Sequence, residues 1–207
     1  MKSWQNNSGY GYGRNIRQEK NLIREELLAK RKSFPEEQRA EMDSAICRRL
    51  LSLMCVRYAE DILSFSPLKY EVGVTGFNSA VIQQGKNLYL PACLPESGLM
   101  EFRLVGKDQK LEKGKFSIME PPKESEIWEE KGQSVCIIPA VSFDSEGYRL
   151  GYGKGYYDRF LAGKNTVRVG VVYTEMMRDN LPRGRYDLAV DIIVTEKSVL
   201  TFNNVKK

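Results

Sequence analysis

The chain predicts an α/β fold built on a parallel or mixed sheet, and three observations carry that reading. Segments with helical apolar spacing alternate with short apolar runs of strand length. The run VCIIP at residues 135–139 is continuously apolar, the mark of an interior strand covered on both faces. No internal repeat and no Pro/Ser-rich linker interrupts the sequence, so residues 15–207 read as a single domain.

Residues 1–14 are polar and rich in Gly and Tyr. GYGYG at residues 9–13 resembles a phosphate loop, but no strand precedes it, so the segment reads as a flexible N-terminal extension. From Asn15 the pattern turns helical, with Ile16, Ile23 and Leu27 on one stripe, widened by Leu22 and Leu28. Pro35 ends this helix. Ser33 and Glu36 have capping-box spacing for a second helix that runs to about Arg57, with Met42, Ile46, Leu50, Leu53 and Met54 inward. DILSFS at residues 61–66 is a short buried strand. A weaker helix follows over residues 71–86, diluted by Gly73 and Gly76 and ended near Gly85. NLYLP at 87–91 is a strand. LMEFRLV at 99–105 alternates apolar and charged residues, as a strand with one wet face does. Residues 106–133 are charged and turn-rich. After VCIIP come a Gly-rich loop, a helix from about Lys154 to Leu161, and two more buried strands, VRVGVVY at 167–173 and DIIVT at 191–195.

Composition excludes several chemistries. With 207 residues, 42% of them hydrophobic, the chain can bury a self-sufficient core without metal or disulfide staples. The chain contains no histidine, which removes Ser-His-Asp and Cys-His catalysis and any imidazole metal site. Proton chemistry must use carboxylates, Lys, Tyr, Cys or water. The four cysteines, Cys47, Cys55, Cys93 and Cys136, form no C-x-x-C pair and read as reduced thiols of a cytoplasmic protein. No apolar run has the length of a membrane span, and the start lacks the apolar stretch of a signal peptide. The formal net charge of +5 is spread along the chain, which favours small anionic ligands over nucleic acid.

The chemistry concentrates in GYRLGYGKGYYDRFL, residues 147–161. Gly151, Gly153 and Gly155 alternate, which lets backbone N–H groups converge on an anion. The N-terminal end of the next helix adds partial positive charge. Arg149 and Lys154 flank the loop, and Asp158 lies one helical turn beyond Lys154, where a carboxylate can hold magnesium. The loop is not a Walker A motif, because Gly155 follows Lys154. It is not G-x-G-x-x-G either, because Tyr156 replaces the third glycine.

FDSEGYRLGYGKGYYDRFL, residues 143–161, resembles the signature of the 5-formyltetrahydrofolate cyclo-ligase (methenyltetrahydrofolate synthetase) family. The resemblance extends in order to KNLIR at 20–24, EP at 120–121 and LPRGRYDLAVDIIVTE at 181–196. It implies a three-layer α/β sandwich with a mixed, mostly parallel sheet, like that of ribose-phosphate isomerase and CoA transferases. It also implies a reaction: ATP phosphorylates the formyl oxygen of 5-formyltetrahydrofolate, the second folate nitrogen closes on the activated carbon, and 5,10-methenyltetrahydrofolate, ADP and phosphate result. Mg2+ accompanies the nucleotide, and the folate can carry a polyglutamate tail. A cytoplasmic enzyme, more often monomeric than oligomeric, without nucleic-acid or membrane partners, is the expectation.

The resemblance assigns roles residue by residue. Lys20 and Arg24, four apart and so on one helix face, match a K-x-x-x-R that binds ATP phosphates. Arg149, Gly151, Tyr152, Gly153, Lys154, Gly155, Tyr156 and Tyr157 match the nucleotide loop, with Arg149, Lys154 and Asp158 in the catalytic roles. Fixed cations and amides suit a transferring phosphoryl group, whose charge spreads over its equatorial oxygens. Asp158 and Asp187 match the magnesium carboxylates, with Asp191 as an alternative. Glu71 matches the glutamate that holds the pterin, and Phe65, Ser66, Met100, Phe116 and Tyr156 match the folate surroundings. One of Tyr156 and Tyr157 faces the folate and the other the core. The chain departs from the family pattern at Gly73 and Val74, where an acidic residue and Thr are usual, and at Tyr186, where many relatives carry His. Read without the resemblance, a sugar-phosphate isomerase or CoA transferase, a binder without turnover, or a basic nucleic-acid module compete. An ATP loop with two carboxylates separates the first from a cyclo-ligase, retention of Arg149, Lys154, Asp158 and Asp187 the second, and the lack of an aromatic-and-basic strip the third.

Overall fold

The computed structural model describes residues 15–94, 97–107, 109–114 and 118–202. The proposed N-terminal extension and Phe116 lie outside the described residues. The helices are α1 (Ile16–Lys32), α2 (Glu36–Ser52), α3 (Met54–Tyr58), α4 (Thr75–Gln83) and α5 (Tyr156–Leu161). The strands are β1 (Asp61–Leu63), β2 (Asn87–Leu94), β3 (Leu99–Leu104), β4 (Glu112–Lys113), β5 (Met119–Glu120), β6 (Ser134–Pro139), β7 (Ser142–Phe143), β8 (Arg149–Leu150), β9 (Val167–Val171), β10 (Ile192–Val194) and β11 (Val199–Thr201).

Seven strands form one sheet in the order β11-β10-β9-β6-β1-β2-β3. The five central strands run parallel, and β3 and β11 close the edges antiparallel. This is the mostly parallel α/β sheet that the sequence predicts. The reason is burial: every residue of β1 and all but the last of β6 are shielded from solvent, so both faces need cover. The connection from β1 through α4 to β2 moves one way along the sheet, and that from β6 through α5 to β9 moves the other way. Parallel crossovers are right-handed, so opposite directions put α4 and α5 on opposite faces. Phe102 of β3 receives α5 through Tyr157 and Phe160, with ring centroids 6.3 and 4.7 Å away.

The local readings hold where apolar spacing dominates and fail where capping decides. α1 begins after Asn15, whose side chain accepts the Gln18 N–H at 3.3 Å. Ser33 forms no capping box. It terminates α1 instead, its hydroxyl donating to the Lys30 carbonyl at 2.7 Å, and Pro35 starts α2 without a side-chain cap. The second helix does not run unbroken to Arg57. Leu53 is extended, which divides it into α2 and α3 and leaves Met54 exposed instead of inward.

Gly170 of β9 gives a direct test of the packing. A Cβ there would lie 2.3 Å from Cζ of the fully buried Phe143. Gly170→Ala is therefore expected to lower stability by about 1–3 kcal/mol, read by calorimetry, because the ring has no free volume to enter.

Candidate functional site

Reversal of the crossover direction between β1 and β6 makes the region outside their C-terminal ends a topological switch point, the crevice position at which open α/β sheets bind ligands. β1 leads there into Ser64, Phe65 and Ser66, and on to Glu71. β6 leads into Ala140, the β7–β8 hairpin and the Gly-rich loop at 151–155. Helix α1 lies across these loops. Arg31 donates to the Ala140 carbonyl at 3.0 Å, and Arg24 Nε to the Gly151 carbonyl at 2.8 Å. Lys20 pairs with Asp187. The i, i+4 spacing of Lys20 and Arg24 thus sets one cation on Asp187 and the next on the Gly-rich loop.

The loop takes the backbone shape its glycines allow. Gly153 and Gly155 have φ of +85° and +68°, and a Cβ on Gly153 would meet the Arg24 guanidinium at 3.3 Å. Helix α5 is only six residues long, so the macrodipole expected of it is small. Loop amides and side-chain cations are left as the groups able to meet an anion. Lys154 is exposed, and its ammonium has no partner among the described residues. Its backbone carbonyl accepts from Arg159 at 2.8 Å. Arg149, by contrast, is nearly buried. Its Nη2 donates to Asp158 at 2.8 Å, and its guanidinium lies 5.1 Å from the Tyr157 ring centroid.

Asp158 and Asp187 are brought together. The second oxygen of Asp158 accepts, at 3.5 Å, from the N–H of Leu188, the residue after Asp187. Asp187 accepts the Gly184 N–H at 2.7 Å besides its pair with Lys20. Hard oxygen donors suit magnesium. Among the described residues no three metal-ligating side chains converge, so a cation held here needs phosphate oxygens to fill its shell. Asp191 is at the wrong end. It pairs with Arg168 at 3.3 Å, beside the N-terminal ends of β9 and β10, which sets it apart from the crevice.

Glu71 is buried, and its carboxylate accepts the Leu68 N–H at 2.8 Å. Tyr152, itself partly exposed, stands beside it. Its hydroxyl accepts from Arg31 Nη2 at 2.5 Å, and burial with the Glu71 charge pushes its pKa up to about 12, against a smaller opposing effect of Arg31. The tyrosine pair divides. Tyr157 turns into the core, where its hydroxyl is buried without a hydrogen-bond partner and burial raises its pKa. Tyr156 lies half-buried under Arg159, whose guanidinium is 5.5 Å from the ring centroid. Phe65 and Met100 belong to the hydrophobic core, Met100 on the same strand face as Phe102, and Ser66 is half-buried.

Two features were not visible in the sequence. Arg31 is 2% exposed, pairs with no carboxylate among the described residues, and leaves its Nε without a partner. Only burial distinguishes it from its neighbours Lys30 and Lys32. Ser64 Oγ and Asn78 Oδ1 are likewise buried and unpartnered beside Phe65, whose carbonyl accepts from Asn78 Nδ2 at 3.0 Å. Unsatisfied polar atoms at the mouth of a crevice mark a place that a polar ligand can complete.

The chain is similar to known proteins along most of its length. The 5-formyltetrahydrofolate cyclo-ligase family model matches residues 16–196. A Haemophilus influenzae protein named 5-formyltetrahydrofolate cyclo-ligase is 28% identical over 184 residues, 86% of this chain and 98% of its own length. A Schizosaccharomyces pombe protein named probable 5-formyltetrahydrofolate cyclo-ligase is 26% identical over 172 residues, 75% of this chain and 84% of its own. The NMR structure of Aquifex aeolicus 5,10-methenyltetrahydrofolate synthetase superposes with a TM-score of 0.79 at 34% identity, covering 91% of this chain and 95% of that one.

Proposed function

Because the chain belongs to the 5-formyltetrahydrofolate cyclo-ligase family, a family of ligases, we propose that it closes 5-formyltetrahydrofolate to 5,10-methenyltetrahydrofolate at the expense of ATP. The observation that supports this most is the meeting of two chemistries in one crevice. The Gly-rich loop with Lys20, Arg24 and Lys154 offers an anion cradle, and Glu71 stands beside Tyr152 of that same loop.

In this reading the formyl oxygen attacks the γ-phosphorus of ATP, and ADP leaves. The second folate nitrogen then adds to the activated carbon, loses its proton, and inorganic phosphate departs with the former formyl oxygen. Lys20, Arg24, Lys154 and the N–H groups of the loop from Gly151 to Gly155 hold the phosphates and stabilise the charge that spreads in transfer. Arg149 acts from beneath the loop and orients Asp158. Asp158 and Asp187 would hold Mg2+, which when bound neutralises phosphate charge. Lys20 and Arg149 already balance both carboxylates, so a cation held by them would need the nucleotide's oxygens to complete its shell. Glu71 accepts N–H donors of the pterin edge, with Phe65, Ser66, Met100 and Tyr156 around the ring. Of the tyrosine pair, Tyr156 is the one we assign to the folate, since Tyr157 is committed to the core.

We also infer a cytoplasmic enzyme working as a monomer. All four cysteines are free, and among the described residues no helix is long and apolar enough to cross a membrane. The test is the near-ultraviolet absorbance of the methenyl product from 5-formyltetrahydrofolate. It is expected to grow only when Mg-ATP is present, and folded protein giving no ATP-dependent signal would refute the assignment.

A further inference from the structure

The loop that carries Glu71 does not hold its own shape. Tyr70 has φ of +76°, an unfavourable value for a side chain of its size, so neighbouring structure must fix it. One stripe of α2 does so. Arg39, Asp43 and Cys47 stand four residues apart on a single helix face. The Arg39 guanidinium lies 5.0 Å from the Tyr70 ring centroid. Asp43 Oδ1 accepts the Gly73 N–H at 2.8 Å, and Cys47 Sγ donates to the Gly73 carbonyl at 3.4 Å. From beneath, the fully buried Tyr173 donates its hydroxyl to the same Asp43 oxygen at 2.7 Å and sits 3.4 Å from the Glu71 carbonyl. Asp43 is thus pinned by two donors, and its other oxygen fills the space beside Gly73. A Cβ on Gly73 would lie 2.5 Å from it.

We propose that Asp43, with Arg39, Cys47 and Tyr173, is a positioning device that sets Glu71 against the folate and so fixes the affinity for that substrate. Asp43 touches neither substrate. Its effect passes through the Gly73 backbone to the carboxylate two residues earlier. Lys20 and Arg24 make none of these contacts, and the Gly-rich loop reaches Glu71 through the Tyr152 side chain. Disturbing the stripe therefore separates the two substrates. The inference rests on Glu71 as the folate ligand.

The test compares Asp43→Leu, Asp43→Asn and Gly73→Ala with Glu71→Gln, by steady-state kinetics and thermal melting. Asp43→Leu removes the acceptor, and Gly73→Ala pushes the carboxylate away from the other side. Each is expected to raise KM for 5-formyltetrahydrofolate about tenfold or more, while KM for ATP and kcat stay within about twofold. Asp43→Asn keeps an oxygen for the Gly73 N–H and is expected to restore most of the folate affinity. Should Asp43→Leu not fold, Gly73→Ala carries the same decision. An unchanged folate KM in folded Gly73→Ala, or an equal rise for both substrates, overturns the proposal. A raised KM in Glu71→Gln beside unchanged values in the other variants overturns the positioning device alone. An unchanged KM in Glu71→Gln overturns the role of Glu71 and the inference with it.

Discussion

Lys154→Ala is expected to lower turnover about 10²–10³-fold, a barrier increase of ~3–4 kcal/mol, and to leave the melting temperature unchanged. Lys154 is exposed, and its ammonium supports nothing among the described residues, so its loss removes only what it gives to a bound phosphate. The melting curve and the methenyl absorbance, measured on one preparation, check both halves of this expectation. Asp158→Asn provides the contrast. It also lowers turnover, but it deprives the nearly buried Arg149 of its carboxylate and costs about 1–3 kcal/mol of stability as well. Sequence alone treats Lys154 and Asp158 alike, as two functional groups on one loop. Their surroundings separate them.

Asp144→Ala is expected to have the largest effect on stability, about 3–5 kcal/mol by urea denaturation. Asp144 is fully buried after β7 and accepts four hydrogen bonds. One oxygen takes the N–H groups of Glu146 and Tyr148 at 3.0 and 2.9 Å. The other takes the Leu181 N–H at 3.3 Å and Arg183 at 3.0 Å. Arg183 in turn covers the Tyr148 ring, its guanidinium 4.0 Å from the centroid. Without the carboxylate three backbone donors lose their acceptor together, and among the described residues Arg183 keeps only Glu146, 2.7 Å from its Nη1. The hairpin that aims Arg149 at Asp158 then loosens, so activity falls alongside stability. Asp144→Asn, which keeps one acceptor oxygen, is expected to lose less.

Much of this was legible because one signal dominated each segment. β6 is read from VCIIP, since a strand with no polar face can only lie inside a sheet. β3 is read from the alternation of Met100 and Phe102 with Glu101 and Arg103. The Gly-rich loop is read from glycines that take positive φ at two of the three positions. Pattern and structure part where two elements compete for one residue. Ser33 has the spacing to cap α2, but the end of α1 reaches its hydroxyl first. Leu53 continues the apolar stripe, yet its backbone is extended and the helix breaks there. β11 is three exposed residues at a sheet edge, too short for periodicity to register.

The same distinction governs the site. Lys20, Arg24, Asp158 and Asp187 stand out in sequence by type and spacing, and the fold gathers them. Arg31 and Asp43 do not stand out, because a buried cation and a solvated one look alike in a helix such as LLAKRK. What distinguishes them is the chain that comes to lie against them: Ala140 and Tyr152 for Arg31, Gly73 and Tyr173 for Asp43. These partners are from about 30 to more than 120 residues away, a separation that no local pattern encodes. Gly73 is the one hint. An unexplained glycine beside a predicted binding residue can mark a close approach by another element.

In the proposed reaction the region between the ends of β1 and β6 takes both substrates, with nucleotide phosphates on the Gly-rich loop and folate at Glu71. A crystal structure with Mg2+ and a non-hydrolysable ATP analogue tests it most directly. The phosphates are expected against Lys20, Arg24, Lys154 and the N–H groups of the loop, with the metal touching Asp158 or Asp187. A nucleotide bound away from that loop, with both aspartates still paired only to Arg149 and Lys20, would contradict it.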